Sequence, residues 1–361
     1  MDKQDGFLSL QGCTDRRVSG MVGLLIGDAL GVGFEFHDAA DIPSRELIEM
    51  SPPPAFRRAH AGVPIGTWSD DGSQALCLLA SLLERSRFSL TDFSDRLVRW
   101  ADEGYMAVDG DVFDIGIQTS RALDRLRDGM SLREAGGANE RDNGNGSLMR
   151  VLPMALWHMG PDRAIVGAAH LQSMPTHAHP RSLVACALYS LVARAYLWKI
   201  DDPWKWADEH LEAVYQRWSV ERKPDLTFLA ELDLIRRFMK TEIPRGSGYV
   251  LDTLLSARTA LEQPTFEDVA KTAIQFGNDT DTTAAVACGL AGIKNGLEGI
   301  PVRWLQHLRG YDLAGSLLTT WINRPMPEWV EEDAWAGVAV DGVPTLLIDW
   351  SEARERRRRQ Q

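Results

Sequence analysis

Apolar residues along this chain recur at helical rather than strand spacing. From Arg17 to Gly33, the residues Val18, Met21, Val22, Leu25 and Ile26 fall on one face of a helix. Further helical patterns cover 73–86, 91–103, 115–128, 147–158, 162–172, 180–198, 204–218, 226–240, 248–261, 266–276 and 283–297. Strict alternation is almost absent, and only short stretches near 344–349 suit an extended chain. The pattern predicts an all-α fold of many short helices joined by loops. Glycines at 20, 23, 27, 31 and 33 would weaken an exposed helix. In a buried helix they let other backbone, or a ligand, come close. Pro43, Pro52, Pro53, Pro54 and Pro64 mark 41–66 as a loop.

No repeat is visible, and no linker divides the chain. The expected organisation is a polar lead-in over 1–16 and one domain over 17–361. Segment 201–245, rich in Trp, Lys, Asp and Glu, reads as a surface excursion, and the basic run Arg354–Arg359 as a solvated end. With 44% hydrophobic residues, the 361-residue chain can bury a large core. A net charge of -12 argues against general nucleic-acid binding, which needs a basic face. It leaves room for a small anionic ligand held by backbone amides at a helix start. Cys13, Cys77, Cys186 and Cys288 are scattered, which fits a reducing compartment without disulfides or a zinc site. The N-terminus has no signal-peptide pattern, and no apolar run approaches the roughly 20 residues of a membrane span. The expectation is a cytoplasmic protein without membrane contact, a monomer by default.

Two acidic clusters change this picture. Ser69-Asp70-Asp71 and Asp279-Thr280-Asp281-Thr282 each precede an apolar helical run. One Asp suffices to cap a helix, and a second beside it adds repulsion unless a cation neutralises it. Carboxylate and hydroxyl ligands favour Mg²⁺ or Mn²⁺ over zinc. If the fold joins the two helix starts, the clusters can share two such ions, which can orient vicinal hydroxyls and polarise a bond for hydrolysis.

Other segments carry weaker signals. Glu35, between Phe34 and Phe36, reads either as a surface residue at a helix end or as a buried carboxyl suited to acid/base work. Asp28 reads equally as a satisfied helix-terminus residue. The loop Asp142-Asn143-Gly144-Asn145-Gly146-Ser147 offers amides and small side chains to a pyrophosphate or ribose. Of His177 and His179, the ordinary expectation is one hydrogen-bonded ring and one exposed.

Taken in order, these residues resemble the ADP-ribosylglycohydrolase family. The resemblance rests on Gly27-Asp28-Ala29-Leu30-Gly31 with Glu35, on Ser69-Asp70-Asp71, and on Asp114-Ile115-Gly116. It continues through Gly144-Asn145-Gly146-Ser147-Leu148-Met149-Arg150, Thr176-His177 and Asp279-Thr280-Asp281-Thr282. It runs from about 17 to 310 and leaves 311–361 as a C-terminal extension. It implies a compact multi-helix orthogonal bundle with a binuclear Mg²⁺ or Mn²⁺ centre. It also implies hydrolysis of the glycosidic bond between ADP-ribose and a protein side chain. Matching positions give Ser69, Asp70, Asp71, Asp279, Asp281 and Thr282 as metal ligands. Glu35, Asp71 and Asp114 would serve catalysis, and Gly144, Asn145, Gly146, Ser147 and His177 would contact substrate. Ser69 stands where the family more usually has Thr, and Asn278 where it has Gly.

The implied substrate is an ADP-ribosylated protein. Glu35 in its setting suits a serine linkage and Asp114-Ile115-Gly116 an arginine linkage; arginine is favoured. Three other readings stand beside this one. The chain could neutralise an ADP-ribosylating toxin, by reversing the modification or by plugging the toxin with the N-terminal lead-in. It could bind ADP-ribose without turnover. It could be a binuclear phosphohydrolase, which would release phosphate.

Overall fold

The computed structural model describes residues 6–157, 160–221, 226–324, 339–340 and 343–344. Its first long helix, α1 (Arg16–Gly31), is buried nearly all round and packs more extensively against α12 (Thr280–Asn295) than any other helix pair does. Small residues make this possible. A Cβ on Gly31, Gly27 or Gly23 would run into Asp281, Ala284 or Cys288 of α12, and one on Gly292 would run into Ser19 of α1. Because residue numbers rise on one helix as they fall on the other, the two are antiparallel. The C-terminal end of α1 therefore lies beside the N-terminal end of α12.

Around this pair sit α2 (Asp70–Arg85), α3 (Leu90–Glu103), α4 (Ile117–Arg127), α5 (Leu152–Trp157) and α6 (Asp162–Ser173). The chain continues through α7 (Pro180–Leu197), α8 (Pro203–Glu221), α9 (Thr227–Thr241), α10 (Val250–Ala260), α11 (Phe266–Gln275), α13 (Val302–His307) and α14 (Tyr311–Ile322). The all-α expectation is met, since the one sheet among the described residues is the two-residue pairing of Ala339–Val340 with Val343–Pro344. Of the stretch 344–349, only Pro344 is described, and the basic tail lies outside the described residues. Among the described residues no helix is long and apolar enough to cross a membrane. All four cysteines are free, and three of them are buried.

Four local expectations differ from the structure. The pattern over 147–158 yields a helix only from Leu152, because Asn145 O accepts from both Leu148 N and Met149 N in a tight turn. The helices α13 and α14 are absent from the periodicity reading, yet they bury Trp304, Leu305, Leu318 and Trp321. Segment 201–245, expected as a surface excursion, also carries part of the core. Its helices α8 and α9 turn Leu211, Tyr215, Trp218, Phe228, Leu232 and Ile235 inward on α7. The polar lead-in also holds a 3₁₀ turn, Gly6–Leu10, whose Phe7 and Leu10 are buried, with Phe7 edge-on to Tyr311 at 5.1 Å.

The α1–α12 contact predicts opposite outcomes for one substitution at two glycines. Gly27→Ala overpacks the interface and should cost about 1–3 kcal/mol in urea unfolding. Gly167→Ala, inside α6 with nothing within 4 Å of its Cβ position, should gain about 0.5–1 kcal/mol from helix propensity. Equal effects at the two sites would contradict the packing described.

Candidate active site

The antiparallel α1–α12 pair sets the site. Asp28 sits one turn before the end of α1 and is fully buried. Its carboxylate reaches across to α2, where Oδ1 accepts from Ser69 N at 2.8 Å and Oδ2 from Gly72 N at 2.7 Å. Asp28 thus caps α2 from another helix and holds the start of α2 at the start of α12. Ser69 is the N-cap of α2 and accepts from Asp71 N at 3.3 Å. Asp279 stands at the N-cap of α12 with no side-chain cap bond, so its carboxylate is free for other partners.

The two acidic clusters, remote in sequence, are joined directly. Thr282 Oγ1 donates to Asp71 Oδ1 at 3.1 Å, and Asp281 Oδ1 accepts from Thr282 N at 2.8 Å. Asp28, Asp71 and Asp281 bring one oxygen each within 4.8 Å of one another, and so do Glu35, Asp279 and Asp281. The two groups share Asp281. Asp70 lies beside them and accepts from Gln74 Nε2 at 3.1 Å.

This concentration of carboxylates shifts their proton equilibria. Burial, reinforced by the neighbouring carboxylates, holds Asp70, Asp71 and Asp281 well above the usual carboxylate range. Burial pushes Asp28 up to about 7 against the opposing amides of Ser69 and Gly72. Two oxygens, Asp71 Oδ2 and Asp281 Oδ2, are buried without any hydrogen-bond partner. An unpaired buried anionic oxygen is costly unless a proton or a cation joins it. An all-oxygen donor set with two such atoms fits a hard divalent cation.

On one side of the carboxylates lies Glu35. Of its two readings the structure selects the buried one, at 2% exposed. Burial first, then Asp114, pushes it up to about 11. Asp114 is half-buried in the loop before α4, shares a hydrogen bond with Glu35, and is itself raised by burial and by Asp279. His60 Nε2 stands 2.9 Å from Glu35 Oε2 and 4.0 Å from Asp114, and its ring centre lies 5.6 Å from that of Phe36 and 5.2 Å from that of Phe113. Phe36, Asp114 and Asn278 all carry φ near +58°. At Asn278 the side chain donates to Arg245 O at 2.8 Å and the backbone N to His37 O at 2.6 Å. Asn is one of the few residues that adopt this conformation readily, so the loop keeps its shape.

The loop 144–147 also reaches the carboxylates. Asn145 Nδ2 donates to Asp279 Oδ2 at 2.9 Å and to Thr253 at 3.0 Å, which ties the loop to the carboxylates. Gly144 N donates to Gln118 Oε1 at 3.3 Å, and the absent Cβ of Gly146 leaves room for the His177 ring. Ser147 Oγ points inward, taking a 2.7 Å bond from Ser173. His177 is buried, bonds Thr176 Oγ1 through Nδ1 at 2.8 Å, and is driven down to about 3 by burial and by Arg150, so its ring is neutral. His179 is not exposed either. It is the N-cap of α7 and accepts from Arg181 N at 3.2 Å, a structural role rather than a ligand's.

The two acidic helix starts, Glu35 and Asp114 are thus joined by contacts, and Asn145 ties the 144–147 loop to them, whereas the Ser147 hydroxyl and His179 are turned to structural partners. Sequence reading left out His60, whose Pro-rich loop gives no signal. It also left out Gln74, which looks like an ordinary helix residue, and gave Arg150, the last residue of the 144–150 motif, no role. Asp28 did leave a trace, as a charge inside an otherwise apolar helix.

The ADP-ribosylglycohydrolase family model matches residues 10–336. The chain is 30% identical over 296 residues to the ADP-ribosylarginine hydrolase Tri1 of Serratia proteamaculans, covering 81% of this chain and 75% of that protein. It is 31% identical over 294 residues to the protein of the same name from Pseudomonas putida, covering 81% and 74%. A solved structure described as an ADP-ribosylglycohydrolase-related protein complex is similar with a TM-score of 0.63 and 31% identity, over 85% of this chain and 97% of that one. With a match of this extent added to the joined acidic helix starts, the chain belongs to the ADP-ribosylglycohydrolase family of hydrolases.

Proposed function

We propose that this protein hydrolyses the N-glycosidic bond between ADP-ribose and an arginine side chain of a modified protein, with Mg²⁺ as its cation. The observation that carries the reading is the pair of buried, unpartnered oxygens Asp71 Oδ2 and Asp281 Oδ2 at two joined helix starts. The arginine linkage follows the similarity to two proteins named ADP-ribosylarginine hydrolase. Ser69, Asp70, Asp71, Asp279, Asp281 and Thr282 would hold the cations, with Mn²⁺ as an alternative metal. The two carboxylate groups sharing Asp281 support a pair of ions. When bound, such ions supply positive charge and Lewis acidity beside the reacting ribose.

The chain's own groups do the proton work. Glu35, buried and protonated, donates its proton to the departing guanidine nitrogen. Asp114, more exposed on the same cleft, takes a proton from the water that adds to the ribose carbon. His60 steadies the Glu35 carboxylate after it has given up its proton. The developing charge is oxocarbenium-like, as in other glycosidic cleavages. The amides and small side chains of 144–147, with neutral His177, receive the pyrophosphate and adjoining ribose.

Reversal of a toxin's ADP-ribosylation is compatible with this chemistry. Plugging a toxin with the lead-in is less well supported, because Phe7 and Leu10 are already committed to the protein's own core.

Release of ADP-ribose from arginine-linked and serine-linked substrates, with Mg²⁺ and then with excess chelator, tests the function. Metal-dependent release from the arginine-linked substrate is expected; release from the serine-linked one alone would overturn the linkage. Asp71→Asn should remove turnover while leaving the helical content intact. Glu35→Gln should lower kcat by about 10²–10⁴-fold, the range for a lost general acid.

A second test reads stability against pH. Unfolded carboxyls titrate near 4, whereas Asp28 titrates near 7 and Glu35 near 11 in the fold. The folded state thus holds protons that the unfolded state has already lost. That stabilisation is complete below pH ~4 and fades as pH rises through the folded values. His177 acts oppositely, since it is held neutral in the fold, but only below its unfolded value of about 6.5. Between about pH 6.5 and 8.5 the carboxyls decide the sign. Chelator-treated protein should therefore lose Tm with rising pH across this window, and Mg²⁺ should flatten the slope. A Tm that climbs with pH in chelator would contradict the site's charge state.

A further inference from the structure

Arg150 is fully buried, and no carboxylate is among its hydrogen-bond partners. Its guanidinium spends its donors on three arms. Nη1 donates to Gln74 Oε1 at 2.7 Å, and Gln74 in turn donates from Nε2 to Asp70 at 3.1 Å. Nη2 donates to Thr176 Oγ1 at 2.7 Å, and that hydroxyl lies 2.8 Å from His177 Nδ1. Nε and Nη2 also hold Gln172, at 3.2 Å to its side chain and 2.9 Å to its carbonyl, and Gln172 Nε2 donates to Ser147 O at 3.1 Å. The guanidinium lies 5.3 Å from the Phe93 ring centre, which closes one face.

A buried charge is expensive, and a plain packing role would be served by an apolar residue. What the charge supplies here is a rigid planar fork with donors in fixed directions. One end of the fork reaches the carboxylate cluster and the other reaches the phosphate loop. We infer that Arg150 is a shared positioning residue, setting Asp70 for the cation through Gln74 and His177 for ADP-ribose through Thr176. This rests on the function proposed above and adds to it a physical link between its two half-sites. Thr176 Oγ1, held by Arg150, fixes the His177 ring through Nδ1 and leaves Nε2 beside Gly144 and Gly146. Burial lowers Arg150 only to about 10, so it stays charged at neutral pH and helps keep His177 neutral.

The test uses the full chain, with Mg²⁺ and ADP-ribose as probes in calorimetry. Gln74→Met cuts the arm to Asp70, Thr176→Val cuts the arm to His177 at similar volume, and Arg150→Lys keeps the charge but loses the fork. Gln74→Met should weaken Mg²⁺ by about 10- to 100-fold, as for other supports behind a metal ligand. It should leave ADP-ribose affinity at saturating Mg²⁺ within about twofold. Thr176→Val should do the reverse, weakening ADP-ribose by about tenfold, the worth of one buried hydrogen bond. Arg150→Lys should weaken both. If that variant fails to fold, the two single-arm variants decide the question alone. Arm variants that change neither affinity, or change both alike, would overturn the inference even while the wild-type protein binds and hydrolyses normally. A wild-type protein that binds neither probe would instead sink the functional reading, and this one with it.

Discussion

The near-contact of two backbones, α1 against α12, is the constraint from which the active site follows. Helices normally keep their axes 8–10 Å apart with side chains between them. Here glycine on one helix meets a carbonyl or a small residue on the other. The antiparallel sense then places Asp28 and Glu35, at and beyond the end of α1, against Asp279 and Asp281 at the start of α12. Asp28 extends the same logic to α2, since its two oxygens satisfy two of the free amides there. Two helix N-termini thus point into one carboxylate cluster, and their partial positive charge offsets part of its repulsion.

That offset is incomplete, and the remainder is the functional property. Asp70, Asp71 and Asp281 are all held above the usual carboxylate range by burial and by each other. A site this acidic and this dry is stable only with protons or cations in it. Proton and metal therefore compete for the same oxygens, and metal binding must release protons. Glu35 differs from the rest in lying against His60 and Asp114.

The loops around the cleft hold unusual backbone in place with specific contacts. Phe36, Asp114 and Asn278 adopt left-handed conformations that non-glycine residues seldom take. Phe36 N donates to Asn278 O at 2.7 Å, and Asn278 N donates to His37 O at 2.6 Å, so two of the three brace each other. Such strain concentrates where a surrounding framework can bear it, and the rigid helix pair beneath is that framework.

Much of this was legible in the chain. Helical periodicity located most of the long helices, because a buried face leaves a repeating mark. The paired aspartates marked where buried carboxylates gather, because a second Asp beside a helix cap adds repulsion that a cap alone does not require. Periodicity missed α13, which is only six residues long, and α14; it located α8 and α9, but their charged composition hid an aromatic face that packs on α7. His60 and Gln74 left no mark, and Arg150 was seen only as the end of a motif, because their contacts depend on what lies across from them rather than on their sequence neighbours. The sequence by itself determined the helices, the ligand types and the acidity. Only the tertiary structure decided which carboxylates share a space, which lose water and so keep their protons, and which buried guanidinium joins the two halves. Those outcomes arise from contacts between residues more than 200 positions apart, such as Thr282 and Asp71, separated by 211, and no local pattern encodes them.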